Sequence, residues 1–247
     1  MEYGRSALTA QSGSRGQERW PANIFLGMLS EPVREELLQL GIPCRYRPKE
    51  TLIIEGAEDS RDVVFLLSGL VKVTKRLENG YEGLLAIRAD GDVVGEMAGM
   101  DDAPRSATVT ACSEIDARIV RRADLNSFLE ACPEAFRAIA RIIAQRLRKA
   151  NTCRIEFGGY PIKVRVARVL AEMTYSHGRQ CGWRGLVIGV NLTQSELAAL
   201  AGSTKETVHK ALKGLRNDGL ITTGSPRTVV LDIVRLRQVA RLDATGT

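Results

Sequence analysis

The hydrophobic period of this chain changes at Pro133. Beyond it, Phe136, Ala140, Ile143, Leu147 and Ala150 follow spacings of 4, 3, 4 and 3, the heptad rhythm of two helices lying side by side. Ile139 and Ile142 fall off that seam and should point down onto whatever precedes it. The alternative is one wide core-facing stripe in a monomer. Pro133 sits where a helix would start. Gly158-Gly159-Tyr160-Pro161 should end that helix, because glycine has poor helix propensity and Pro161 restricts the residue before it.

Before the seam the pattern is β. Val63–Leu67, Leu70–Val73 and Gly83–Ile87 are short apolar runs separated by Gly56, Ser68-Gly69, Asn79-Gly80 and Asp90-Gly91-Asp92. Strands with turn signals at such intervals suggest a compact sandwich or barrel. Asn79-Gly80 is a hairpin signal. A short helical segment within 23–41, capped by Ser30, should bury Val33, Leu37, Leu38 and Leu40. Another should start at Asp124. The resulting division is a disordered tail at 1–22, a β-domain at 23–132, the seam helix at 133–158, a hinge at 159–161 and a further domain at 162–247.

Charge separates the two ends. The formal net charge is +6, but through Pro161 the balance is −1 and beyond it +7. A polyanion would dock on the C-terminal third. No stretch reaches the roughly 18 apolar residues of a membrane span, and the N-terminus lacks a secretory h-region. Cys44, Cys112, Cys132, Cys153 and Cys181 have neither disulfide-framework nor zinc spacing, which suits a reducing, cytoplasmic setting. With His177 and His209 as the two histidines, a histidine-based metal or catalytic cluster is not expected. Nor is there a nucleophile–base pair or a phosphate-loop signature, so the reading is not that of an enzyme.

Two constellations carry chemistry. The first is Gly95-Glu96-Met97-Ala98 followed by Pro104-Arg105-Ser106-Ala107. It has what a pocket for a ribose cyclic phosphate requires. Arg105 can fork onto two phosphate oxygens, Ser106 adds a hydroxyl and an N–H, Glu96 can accept from a ribose hydroxyl, and Gly95 admits close backbone approach. The competing reading of Arg105 is a structural ion pair in a degenerate pocket.

The second lies in the basic third. Thr193-Gln194-Ser195-Glu196 is a capping box. Leu197, Ala198, Leu200 and Ala201 supply a buried face, Gly202 turns the chain, and Ser203-Thr204-Lys205-Glu206-Thr207-Val208 starts a second helix with Ala211, Leu212 and Leu215 as its stripe. This is a helix-turn-helix pattern, with a hairpin "wing" at 222–230. Lys205, Glu206 and Lys210 can face base edges, while Thr193, Ser203, Thr204, Thr207, His209 and Lys213 suit contacts to the DNA, chiefly its phosphates. Glu206 could instead be the capping partner of Ser203. Lys210 and Lys213 could be a solvated face.

In this order, the β pattern, the Gly-Glu…Arg-Ser-Ala cassette, the seam helix and the winged helix-turn-helix resemble the cyclic-AMP receptor protein/FNR family of bacterial transcription regulators, over about residues 23–242. The resemblance implies an α+β fold: an N-terminal cyclic-nucleotide-binding, jelly-roll-like β-roll, a dimerisation helix and a C-terminal winged helix-turn-helix. It implies a homodimer with Phe136, Ala140, Ile143, Leu147 and Ala150 in its interface. It also implies a two-fold symmetric double-stranded DNA site, RNA polymerase as partner and no membrane. Gly95, Glu96, Met97, Ala98, Arg105 and Ser106 would hold phosphate and ribose, with Ala150 and Asn151 at the base. The ligand so implied is cyclic AMP, with cyclic GMP or no ligand as alternatives. Ala150 offers no hydrogen bond where relatives often have Thr. Lys205 and Lys210 replace the frequent arginines and give up the bidentate fork. The paired glycines at the hinge suggest softer coupling between the domains. Relatives that sense oxygen or carbon monoxide need cysteine clusters or haem ligands that this β-domain lacks.

Overall fold

The computed structural model describes residues 20–101, 103–180, 185–224 and 228–242. Most of the expected tail, Cys181 and the wing tip Ser225-Pro226 therefore lie outside the described residues.

Among the described residues, eight short strands build the N-terminal domain: β1 (Ile42–Tyr46), β2 (Thr51–Ile53), β3 (Val63–Ser68), β4 (Leu70–Arg76), β5 (Glu82–Ala89), β6 (Val93–Val94), β7 (Thr108–Ala111) and β8 (Ile115–Val120). They form two antiparallel sheets, ordered β1-β8-β3-β6 and β2-β7-β4-β5. Alternate residues point inward, so Val64, Leu66 and Ala117 from one sheet meet Ile53, Val71 and Val109 from the other in a shared core. Gly80, at φ +82°, turns the β4–β5 hairpin, and the ladder beyond it pairs Arg76 with Glu82.

Helix α1 (Glu31–Leu40) packs outside the roll beside a 3-10 turn at Phe25–Met28. Ser30 takes the N-cap position, but its backbone N–H and hydroxyl donate to Glu134, at 2.5 and 3.1 Å, instead of closing a cap. Leu37 is buried and Leu40, contrary to expectation, is exposed. Trp20 corrects the tail boundary: it is buried in the roll's outer core, against the bare Cα of Gly91. After α2 (Glu96–Met100) and α3 (Arg122–Ala131) comes the long helix α4 (Pro133–Gly159). Ile139 and Ile142 bury against the roll, as their departure from the heptad seam implied, and Ala135 and Ala138 join them in one cluster with Phe25 and Phe65. The helix continues through both glycines, and the break falls at Tyr160-Pro161, where proline has no N–H to donate and its ring pushes Tyr160 into extended backbone.

The C-terminal domain contains α5 (Ile162–His177), β9 (Gly178–Gln180), β10 (Leu186–Ile188), α6 (Gln194–Leu200), α7 (Lys205–Asn217), β11 (Ile221–Thr223), β12 (Thr228–Val230) and α8 (Ile233–Val239). The wing hairpin is part of a four-stranded sheet, β11-β12-β10-β9. Strands β9 and β10 have too few residues to show a period, so the sequence reading passed over them. Leu84 and Ile87 of β5 share one core with Leu197 and Ala198 of α6, so the two domains are packed together rather than joined only by the chain. Among the described residues no helix is long and apolar enough to cross a membrane, and no cluster of His, Cys, Asp and Glu could hold a metal.

Candidate ligand cradle and DNA-binding face

The cradle starts where β6 ends. Gly95 adopts φ +81°, a left-handed conformation that favours glycine. A Cβ there would lie 2.7 Å from Arg105 Nη1. Glycine is therefore required twice, for the turn and for the approach of the guanidinium. Arg105 is buried at 6% exposure. Its Nη1 donates to the Gly95 carbonyl at 3.1 Å and its Nη2 to the Asp62 carbonyl at 2.6 Å. Burial pushes its pKa down, opposed by Asp62, Asp59 and Glu96. A guanidinium carries five N–H groups in a rigid fork; these two bonds hold it in place. Ser106 is exposed beside it, with its hydroxyl 3.7 Å from Met97 Sδ. Ala98 is buried and Met97 half exposed.

Glu96 is buried at 5% exposure and is paired with a residue that the sequence reading missed. Arg146 of α4 reaches it with Nη1 at 2.6 Å, and with Nη2 reaches Asp92 at 2.7 Å and the Val93 carbonyl at 2.7 Å. Burial acts to lower the Arg146 pKa, but the carboxylates of Asp92 and Glu96 outweigh it and the net shift is upward. Arg88 joins the cluster at 3.5 Å from Asp92. Helical spacing puts Arg146 one turn after buried Ile142, on the roll-facing side of the helix, but no local signal in the sequence names its acidic partners. The cradle thus holds the Arg146 guanidinium between two carboxylates, Asp92 and Glu96, and Arg105 and Glu96, the groups expected to hold phosphate and ribose, already have protein partners. Ala150 and Asn151 are exposed one turn further along α4.

The seam residues lie on an adjacent, mostly exposed face of α4, with Ile143 at its border packed against the roll's outer core. Phe136 is 50% and Leu147 61% exposed, Ala140 and Ala150 are exposed, and Ile143 is partly buried.

The helix pair is built as its caps dictate. Thr193 Oγ1 accepts from Glu196 N, and Glu196 Oε2 accepts from Thr193 N at 2.7 Å, which completes the capping box. Gly202 turns the chain at φ +59°. The N-cap of α7 is Thr204, whose hydroxyl accepts from Thr207 N. Ser203 is not the cap, so Glu206 is not its capping partner and that competing reading falls. Val208, Ala211, Leu212 and Leu215 are buried, while Lys205, Glu206, His209, Lys210 and Lys213 are exposed along the other face. Thr193 and Thr204 spend their hydroxyls on caps, though both remain solvent-accessible. Arg216 Nη1 donates to Thr223 Oγ1 at 2.8 Å, fixing the wing to the recognition helix.

The hinge is more tightly held than its glycines suggested. The Tyr160 ring faces the guanidiniums of Arg168 and Arg241, at 5.3 and 5.6 Å. Arg168 also pairs with Glu156 at 2.8 Å. The Phe157 ring lies against the bare Cα of Gly202, and Arg165 covers that ring while donating to the Gly202 carbonyl at 2.9 Å.

Comparison with known proteins agrees with this architecture. Residues 43–132 match the family model for a cyclic nucleotide-binding domain, and 164–239 match a Crp-like helix-turn-helix domain. A "CRP-like cAMP-activated global transcriptional regulator" of Mycobacterium tuberculosis is 31% identical over 89% of this chain and 97% of its own. A "Cyclic AMP receptor protein" of Thermus thermophilus is 27% identical over 88% and 96%. Among solved structures, a CRP-family transcriptional regulator from Thermus thermophilus superposes with a TM-score of 0.68 at 26% identity, covering 83% of this chain and all of that one. With a DNA-reading helix pair beneath a nucleotide-type β-roll, the chain belongs to the CRP/FNR family of transcription regulators.

Proposed function

We propose that this regulator is a homodimer that binds a two-fold symmetric DNA site under the control of a cyclic nucleotide, cyclic AMP in the first instance. The single observation that supports it most is Arg105: buried, held by two backbone carbonyls beside Ser106 and Gly95. A phosphate there would meet a preorganised fork. The ribose would then compete with Arg146 for Glu96, so ligand entry would pull on α4 directly. Asn151 can donate and accept toward a purine edge. The regulators of Mycobacterium tuberculosis and Thermus thermophilus, described as cAMP-activated and as a cyclic AMP receptor, support the choice of ligand.

Dimerisation follows from the exposed stripe on α4. Burying the part of a side chain such as Phe136 or Leu147 that the protomer leaves exposed contributes about 1–1.5 kcal/mol, and a second copy of the same stripe is its natural cover. RNA polymerase is the partner through which a bound dimer would act, in the cytoplasm.

Calorimetry with cyclic AMP and cyclic GMP tests the ligand. The expected result is binding of cyclic AMP that Arg105→Leu abolishes while leaving the dimer intact. Absence of heat with either nucleotide, at high protein concentration, favours the second reading, a regulator of the same fold that needs no ligand or answers another molecule. That reading draws on the pairing of Glu96 with Arg146 and on Ala150, which cannot hydrogen-bond a base. Selection of duplexes from random sequence, with and without cyclic AMP, tests site, symmetry and ligand dependence together.

A further inference from the structure

Helix α6, the first of the DNA-binding pair, is held at both ends by different parts of the protein. At its C-terminal end the turn residue Gly202 rests on Phe157, from the last turns of α4. At its N-terminal end Glu196 reaches the β-roll: Lys72 of β4 donates to Glu196 Oε1 at 2.6 Å and to the Asn191 carbonyl at 2.9 Å. Both side chains are largely covered, Lys72 19% and Glu196 23% exposed, so the pair is screened little by salt. Glu196 therefore serves two bonds at once. One oxygen closes the capping box on Thr193 and the other holds the ammonium of Lys72. Beside this contact, Leu84 and Ile87 of β5 form the apolar seat in which Leu197 and Ala198 lie.

We propose that Lys72 is a positioning residue for DNA binding. The seven residues of α6 span about 10 Å, with Phe157 beneath one end and Lys72 at the other. One anchor alone leaves the helix pair free to pivot about Gly202. Two anchors fix the angle at which α7 presents its reading face. In the seated arrangement Lys205, Glu206, His209, Lys210 and Lys213 all stay exposed, so the seat orients the recognition helix and does not mask it. The ammonium is committed to Glu196 and Asn191, and Lys72 acts through them rather than on phosphate. This inference rests on DNA binding by the helix pair and is independent of which nucleotide, if any, fills the cradle.

The test uses the full-length protein with Lys72→Met and Lys72→Arg, and the duplex that the unaltered protein selects from random sequence. Binding is followed across a salt series. Lys72→Met is expected to weaken binding roughly fivefold, the size of one good partly covered ion pair, and to leave the slope of log affinity against log salt unchanged. Lys72→Arg should restore most of the loss. Without DNA, hydrogen exchange in Lys72→Met should rise across 194–200 and 84–87 while the stalk at 135–142 stays protected. Unchanged affinity together with unchanged exchange overturns the proposal. A salt slope shallower by about one phosphate contact also overturns it, because Lys72 would then be touching DNA itself.

Discussion

Replacing Arg146 with Met should destabilise the β-roll by about 3–5 kcal/mol, the usual cost of leaving one member of a buried ion pair behind. The structure says which member is left. Asp92 keeps Arg88 at 3.5 Å when Arg146 is removed. Glu96, at 5% exposure, has no other ion pair among the described residues. The Val93 carbonyl also loses a donor at 2.7 Å, which adds about 1 kcal/mol or somewhat more. Met retains most of the aliphatic packing, so the loss reports charge and hydrogen bonding rather than a cavity. The assay is urea unfolding followed by Trp20, which lies in the roll's core, in a Trp183→Phe background so that one fluorophore reports one domain. Adding Glu96→Gln to Arg146→Met should recover much of the loss, because a neutral amide costs less to bury than an orphaned carboxylate. A loss under about 1 kcal/mol, or two losses that simply add, would refute the reasoning and mean that solvent reaches Glu96 freely.

Gly95→Ala should cost the roll more than 1 kcal/mol and weaken nucleotide binding, since its Cβ would meet Arg105 Nη1 at 2.7 Å; melting and calorimetry on one sample check both. Leu147→Glu places like charges across the proposed two-fold seam and should turn dimer into monomer by sedimentation at micromolar concentration; an unchanged dimer would put the interface elsewhere. Glu206→Ala should relax base preference at one position of each half-site, costing about 1–3 kcal/mol of discrimination. Lys213→Ala should lower affinity for all sequences alike and reduce the salt slope by about 0.9 for each protomer, about 1.8 for the dimer.

Much of the fold was legible because it depends on local rules. The Thr193–Glu196 box, the Asn79-Gly80 turn, the Pro133 helix start and the packing of Ile139 and Ile142 onto the roll all appear in the structure as the residue pattern indicated. Each is set within a few residues, by a cap, a turn or a period. The cradle was half legible. Gly95, Glu96 and Arg105 come together as expected, but Arg146 lies 41 residues beyond Arg105, and nothing in its neighbourhood announces an acidic partner. The hinge was legible as a break, for α4 ends at Gly159 inside the 158–161 run, but the two glycines themselves stay helical because propensity is a weak prior, and only the packed structure shows Tyr160, Arg168, Arg241 and Phe157 at the joint.

The sequence by itself determined the capped and periodic elements, their order, the charge division and the place of the Gly-Glu…Arg-Ser cassette ahead of a helix-turn-helix pair, since caps, periods and glycine positions act over one or two turns. Tertiary structure alone decided who pairs with whom across long separations: Arg146 with Glu96, Lys72 with Glu196, Phe157 with Gly202. Such pairings depend on how two faces meet once packed, and a linear chain carries no local signal for a surface that does not yet exist.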